Sequence, residues 1–579
     1  MFRFRLVLLL FLALPGILRA QTTYDPCVKS TEGKEFWFGF MESRHHQTGH
    51  YLELTLTSTF TCHFSVYYGN STIAYLNNYT LLPNQPFRYQ PYWGTLEPIG
   101  SETIEQKAIH IVSDMPMNIF AMNWSPSSAD AAVIFPIEAL GNEYYAMCYE
   151  PNISEGAGGT PGNGKNSEFV VVASENNTKV TITPSKVTDL LKPANVPFTI
   201  TLNKGDLYQV QSMNHPNLVG QGDLTGSYIK SDKPVAFYSG CWSTTIPIGA
   251  TSAWDHLYEQ IPPVRSWGRK FVTVPLSGRS LDVFRILASE DKTTVRIGSN
   301  NPILLDKGKF YEFQLTKDQP SLIESDRPIL LAQFMVSNIV DKPANVSSWD
   351  GDPLMLIVSP VDQTREAVTF VAYDSPNISS KYFVNVVAKN DGIAYIFLDN
   401  QKINFTYLPN TEYAFAQIPI TRGNHNLNSI QSGVGFIAYV YGYGGVESYG
   451  YGVGFNLSIK LDLGGDIQFV KDTILLCQGQ AKILNAGSHF NKFLWSTGDT
   501  TQTIFVTKPG YSKVTATTSE GCVRKDSIYT YVSNPVIELG NEPIKVKGKR
   551  KRCISIGIVC LAISRTLKVS GLPTGAELK

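Results

Sequence analysis

Three times the chain writes the same short phrase, Ser113-Asp114-Met115-Pro116, Ser231-Asp232-Lys233-Pro234 and Ser325-Asp326-Arg327-Pro328, each between two apolar-alternating segments. The interval is roughly 95 to 120 residues, and self-similarity at a fixed period marks a repeated supersecondary unit. A matching hairpin precedes the second and third copies, with Val172-Ala-Ser-Glu-Asn-Asn-Thr-Lys-Val-Thr-Ile182 set against Leu287-Ala-Ser-Glu-Asp-Lys-Thr-Thr-Val-Arg-Ile297. Val387-Ala-Lys-Asn-Asp-Gly echoes it further on, and Lys204-Gly205-Asp206 and Lys307-Gly308-Lys309 each open another strand. Segments such as 51–57, 169–173, 179–183, 198–202 and 381–387 are short, β-branched or aromatic, and bounded by Asn, Gly, Asp and Pro. A stripe of helical period is hard to find outside 187–192. The chain is therefore expected to be all-β, with tandem β-sandwich-like repeats of about 100 residues. Within each repeat, Ser or Asp bonds the backbone two residues on and Pro fixes φ, so the phrase predicts a tight turn between two buried strands.

The N-terminus carries Arg3 and Arg5, an apolar run over 6–14, Pro15-Gly16 and then Leu18-Arg19-Ala20, the pattern of a cleaved export signal. A mature chain starting near Gln21, secreted or held on the outer cell surface, is expected. No later stretch offers 18 consecutive apolar residues, and 554–563 is too short, so no membrane span is expected. Lys plus Arg and Asp plus Glu number 49 each and cancel. The dense basic run is confined to 545–552, which makes nucleic acid a poor partner.

From Gly464 a separate module begins. Thr473-Ile-Leu-Leu-Cys477, Phe493-Leu-Trp495-Ser-Thr-Gly498, Pro509-Gly510-Tyr511, Val514-Thr-Ala-Thr517 and Gly521-Cys522 alternate apolar and polar residues between regular turn signals, as a small sandwich does. Cys477 and Cys522 are expected to close a loop as a disulfide of the oxidising compartment, the alternative being two free thiols at strand ends.

Gly33-Lys34-Glu35-Phe36-Trp37-Phe38-Gly39-Phe40-Met41, Ala132-Val-Ile-Phe-Pro136, Gly141-Asn-Glu-Tyr144-Tyr145, the Val-Ala-Ser-Glu hairpins and Val235-Ala-Phe-Tyr-Ser-Gly240 resemble the N-terminal domain family named after the IgG Fc-binding protein, over about residues 30–458. The module around Cys477 and Cys522 resembles the Ig-like or PKD-like domains of exported Bacteroidetes proteins. That resemblance implies binding or adhesion without catalysis. The expected divisions are a signal peptide 1–20, β units 21–165, 166–281 and 282–380, a partial fourth unit 381–460, the Ig-like domain 461–533 and a basic tail 534–579, which reads either as a truncated second Ig-like module or as a basic end.

Local constellations point to no chemistry. Gly159-Thr-Pro-Gly-Asn-Gly164-Lys165 spells a phosphate loop, yet Asn166 stands where Ser or Thr would bind magnesium and a strand follows where a helix is needed. His45, His46 and His50 sit where a polar loop tip belongs, and Asp350-Gly351-Asp352 lacks the further acids of a calcium loop. No nucleophile elbow, zinc motif or paired-carboxylate motif stands out, so neither an enzyme nor a cofactor is expected. Tyr439, Tyr441, Tyr443, Tyr449 and Tyr451 alternate along two segments and read either as a recognition face or as a tyrosine-lined core. Ligand contacts are expected where the copies diverge, in the insertion 243–263 with Trp254, Tyr258 and the adjoining Trp242, and in the insertion 338–353 with Trp349. The alternative is that these aromatics plug seams between units. The expected function is recognition of an extracellular protein, mucin or glycan; the other reading is a glycan-binding accessory region of a secreted polysaccharide-degrading or uptake system.

Overall fold

The computed structural model describes residues 29–533, apart from 44–49, 127, 152–165, 214–221, 251–252, 341–349, 376, 379–380, 459–460, 466–472, 488–489 and 519–520. The expected signal segment, the basic tail and Trp349 lie outside the described residues. The chain is all-β, built of tandem sandwich units and a terminal Ig-like sandwich.

Each unit is organised by one long strand. These are Ile109–Ser125, Tyr228–Thr244 and Ser321–Met335; in the fourth unit the same path is split into Gly423–Ser429 and Phe436–Gly444. An opening strand pairs antiparallel with its first half: Gly33–Phe38, Gly141–Tyr145, Gly268–Thr273 and Ala367–Ala372. A second strand pairs with its later half: Tyr51–Thr57, Ser167–Ala173, Leu281–Ala288 and Tyr382–Lys389. The last strand of each unit, here the inner strand, also lies on the later half: Ser128–Ile134, Asp255–Gln260, Met355–Val358 and Glu447–Gly452. The opening strands fall ahead of the divisions expected at 166, 282 and 381, because each pairs with the long strand that follows it.

The Ser-Asp-x-Pro phrase is not a turn between two strands. The strand runs through it, and the phrase is the corner where one strand leaves the first sheet of its sandwich for the second, with the pairing register jumping across it. Pro supplies a residue without an N–H where the ladder changes partner. The Ser hydroxyl donates to the carbonyl two residues on, at 2.8, 2.6 and 2.6 Å. The Asp carboxylate accepts a backbone N–H from the neighbouring strand, from His63, Lys179 and Thr294 at 2.7, 2.8 and 2.7 Å. The fourth unit lacks the phrase, and there the strand breaks.

The four inner strands touch in a closed cycle, first to second, second to third, third to fourth and fourth back to first. Close approach at the seams repeats as well: a Cβ on Gly33, Gly141 or Gly268 would meet Pro136, Pro263 or Pro360 at 2.3, 2.4 and 2.3 Å. The N-terminus completes the ring, as the Thr31 N–H donates to the Phe455 carbonyl at 3.0 Å and the Lys29 N–H to Ser458 Oγ at 2.9 Å. The alternating tyrosines are core. Tyr439, Tyr441, Tyr443, Tyr449 and Tyr451 are buried, and each hydroxyl meets the backbone of another strand or connection, at Ser359, Ser277, Ser277, Tyr373 and Val371. A phenol suits such a seam because its ring fills apolar space while its hydroxyl satisfies a stray backbone group.

Beyond the ring, Thr473–Cys477, Val523–Ser533, Gly510–Thr517 and Lys492–Trp495 form one sheet and Lys482–Asn485 with Thr503–Val506 the other, around a separate core holding Trp495. Neither Cys477 nor Cys522 is free, but the register argues against one bonding the other. Cys477 lies opposite Ser533 in a parallel pair, whereas Cys522 precedes the far end of that strand. At ~3.3 Å per residue the two are on the order of 30 Å apart, against roughly 7 Å for disulfide-linked Cα atoms. The expected bridge is corrected on that ground.

Candidate recognition face

The antiparallel register decides where the connections gather. Tyr51 lies opposite Trp124, Ser167 opposite Cys241, Asp282 opposite Met335 and Tyr382 opposite Gly442. Each second strand therefore starts where its long strand ends. All connections into second strands and out of long strands emerge at one end of the ring, and recognition is carried by loops on a rigid scaffold of this kind.

At that end the copies diverge. Long strand and inner strand are joined by residues 126–127 in the first unit and 445–446 in the fourth, but by 245–254 and 336–354 in the second and third. The two long connections are knitted together: the Ile246 N–H donates to Ser337 Oγ at 3.1 Å, the Ser337 N–H to the Ile246 carbonyl at 2.8 Å, and Ser337 Oγ to the Ala253 carbonyl at 2.7 Å. Beneath them lie buried polar atoms without protein partners: both amide atoms of Asn338, Ser243 Oγ, Thr245 Oγ1 and His256 Nε2. A buried amide left unsatisfied costs about 1–3 kcal/mol, so these atoms mark a place for water or a ligand group. The His256 Nδ1 position faces the Cys241 carbonyl at 3.0 Å, and burial pushes this imidazole down to about 4, so the ring is neutral.

A charged rim stands beside this pair of loops. Lys381 pairs with Asp350, and both Lys381 and Arg279 lie over the Tyr443 ring, 5.4 and 5.3 Å from its centroid. Arg279 donates to the Asp350 and Val336 carbonyls at 2.9 Å each, pinning the start and end of the third-unit connection.

Below the loops, the axis of the ring is lined with acids. Asp130 on the first inner strand accepts the N–H of Tyr258 on the second at 3.0 Å and of Met355 on the third at 3.3 Å, and Gly450 on the fourth also donates to it. One carboxyl thus ties all four inner strands. Asp255 accepts from Ser128 Oγ at 2.5 Å and shares a hydrogen bond with Asp352. Burial holds Asp130, Asp255 and Asp352 well above the usual carboxylate range, and for Asp255 the charge of Asp352 adds to it.

The sequence-predicted contacts divide. Trp242 and Trp254 are half-buried at the loop end. Tyr258 is not available to a ligand: it is fully buried, stacked on Tyr238 at 5.4 Å, with its hydroxyl donated to the Gly39 carbonyl at 2.8 Å, because its strand is an inner strand and faces the first unit. Asp350 and Asp352 part company, one to the rim and one to the axis. His50 is buried against Glu97 at 2.7 Å, while His45 and His46 lie outside the described residues. Among the described residues, no group of three or more His, Cys, Asp or Glu is arranged to hold a metal ion. Asn338, Arg279 and Lys381 were missed by sequence reasoning; only the divergence of the copies around Asn338 pointed toward them.

A family model described as IgGFc binding protein matches residues 130–442. The IgGFc-binding protein of Homo sapiens is 26% identical over 336 residues, covering 56% of this chain and 6% of that protein. The chain thus spans a small part of that relative. Among solved structures, the eight N-terminal Ig domains of Down syndrome cell adhesion molecule align over 86% of this chain and 61% of theirs at 8% identity and a TM-score of 0.11. Escherichia coli alpha-2-macroglobulin aligns over 86% and 53% at 10% identity and 0.15.

Proposed function

The chain belongs to the IgGFc-binding protein family, and from that premise we propose that it is an exported, non-enzymatic binding or adhesion protein whose ligand is an extracellular protein, mucin or glycan. The observation that carries this reading is the pair of fused connections at one end of the ring, flanked by Trp242 and Trp254 and underlain by unsatisfied Ser243, Thr245 and Asn338. Indoles give large contact area at small entropy cost, and the buried polar atoms give direction to the contact. The human relative's name records IgG Fc binding; Fc therefore belongs on the panel of ligands to be tried, without any residue here being assigned to it. A second reading, a glycan-binding accessory region, is favoured by Tyr75 and Tyr92 in the first unit, exposed to 62% and 68%.

A glycan array run beside a panel of mucins, matrix proteins and Fc tests both. The expected result is a ligand whose affinity falls at least tenfold, about 1.4 kcal/mol, in Trp254→Ala and Trp242→Ala with melting unchanged. If melting drops by several degrees and binding merely follows the folded fraction, these indoles are seam plugs and the assignment fails.

A further inference from the structure

The outer edge of one strand recurs in each unit, and its copies are treated differently. In the second unit Leu207–Gln211 pairs on its outer side with Ile104–Glu105, a strand reaching over from the first unit, and the Glu102 N–H donates to the Gln209 carbonyl at 2.7 Å. In the fourth, Tyr413–Ile420 pairs with Thr406–Tyr407. The equivalent in the third is Phe310–Thr316, placed by Leu287 opposite Phe310 as Val172 is opposite Leu207. Among the described residues it pairs only with Leu281–Ala288. This edge is seven residues long, with Phe310 and Tyr311 exposed to 36% and 40%. The usual devices that blunt an edge, a Lys, a Pro or a bulge, do not interrupt it.

We propose that this edge is a docking site for a second copy of the chain, the two Phe310–Thr316 strands pairing antiparallel about a two-fold axis through Phe313. The Ala288 N–H donates to the Lys309 carbonyl and the Lys317 N–H to the Ser280 carbonyl. Antiparallel alternation then turns the backbone groups of Tyr311, Phe313 and Leu315 inward and those of Phe310, Glu312, Gln314 and Thr316 outward. Gln319 holds both groups of Thr316, its side chain accepting the Thr316 N–H at 3.1 Å and its N–H donating to the Thr316 carbonyl at 2.9 Å, which leaves Phe310, Glu312 and Gln314 facing out. A two-fold at Phe313 sets Glu312 against Gln314, Phe310 against Thr316 and Tyr311 against Leu315. The outward groups of Glu312 and Gln314 find partners in two hydrogen-bonded pairs, the inner-face apolar residues Tyr311, Phe313 and Leu315 meet their like, and no Glu faces a Glu. Glu312 is itself held by Arg285 at 2.8 Å, so its charge is compensated within its own copy. Moving the axis to Glu312 would set that Glu against its own copy, and moving it to Gln314 would set Glu312 against Thr316, whose backbone groups Gln319 already holds. The second and fourth units show that this edge of the repeat accepts a strand.

Sedimentation of the full chain from about 1 to 100 µM should show a rise to twice the chain mass. Gln314→Pro removes an outward N–H and leaves the inward ladder intact, and should abolish the rise. Gln314→Glu faces Glu312 twice per dimer and should weaken it about tenfold, while Gln314→Lys should not weaken it. Hydrogen exchange on the unaltered chain gives a readout that no variant's folding can confuse: protection at Glu312 and Gln314 should grow with concentration, and at Tyr311 and Phe313 it should be constant. A monomer throughout, a dimer indifferent to the Gln314 variants, or a monomer that instead takes up an added extended peptide at this edge would overturn the proposal.

Discussion

Asp352 has both carboxylate oxygens buried, with Asp255 and Ser448 as its side-chain partners, and that arrangement has a sign. Burial raises Asp130, Asp255 and Asp352 in the folded state. The native chain therefore binds more protons than the unfolded one from about pH 4, the ordinary Asp value, upward. Stability from these groups is present in full below that value and is lost as pH rises through the folded values, the reverse of a salt-bridged Asp. Thermal melting should fall by several degrees between pH 5 and pH 8. Asp352→Asn replaces the shared proton with an amide donor aimed at Asp255, and should flatten this dependence and raise melting at pH 8. A slope unchanged in the variant would show that the axis does not govern it.

At the scale of elements, the seams between units rest on an absent side chain. Gly141→Ala puts a Cβ 2.4 Å from Pro263, both on backbones held by paired strands, so the cost should reach about 1–3 kcal/mol of overpacking. Denaturant melting checks it, and a variant within 0.5 kcal/mol of the parent would mean that the seam relaxes. Much of this level was legible: the all-β class, the repeated unit and the alternation of its strands are written in period-two patterns that local sequence carries. The Ser-Asp-x-Pro corners were misread because a turn and a sheet-switching corner use the same chemistry, a missing N–H and a carboxylate standing in for a carbonyl. Tyr258 was misplaced for a related reason, since an inner strand and a loop insertion follow the long strand in the same order. The tyrosine alternation left core and surface undecided, because the partners of those hydroxyls lie 56 to 166 residues away. Asn338 and Lys381 come to one end of the ring only through registers that no local pattern encodes.

At the scale of the whole molecule, ring and terminal module differ in how they depend on their neighbours. The opening strand Gly33–Phe38 closes the cycle: it pairs with the first long strand, and the residues just before it bond to 455–458, while Arg365 reaches Glu32 at 2.5 Å. The module at 473–533 has its own core and meets the ring through an Arg269 ion pair with Asp462, in which Asp462 is about two-fifths exposed, a contact worth no more than ~1 kcal/mol. Two truncations therefore separate the parts. A chain ending at 460 should keep the ring's single cooperative melting and the exchange protection of its inner strands. A chain beginning at Gly39 loses a central partner of Ile109–Ser125 and bares the hydrogen-bonding groups of two units at once. It should melt many degrees lower, with protection lost first in the first and fourth inner strands, where the cycle is cut. Equal damage from both truncations would mean that the module is part of the ring's cooperative unit, and little damage from the N-terminal one would mean that three contacts between inner strands hold the ring without the fourth.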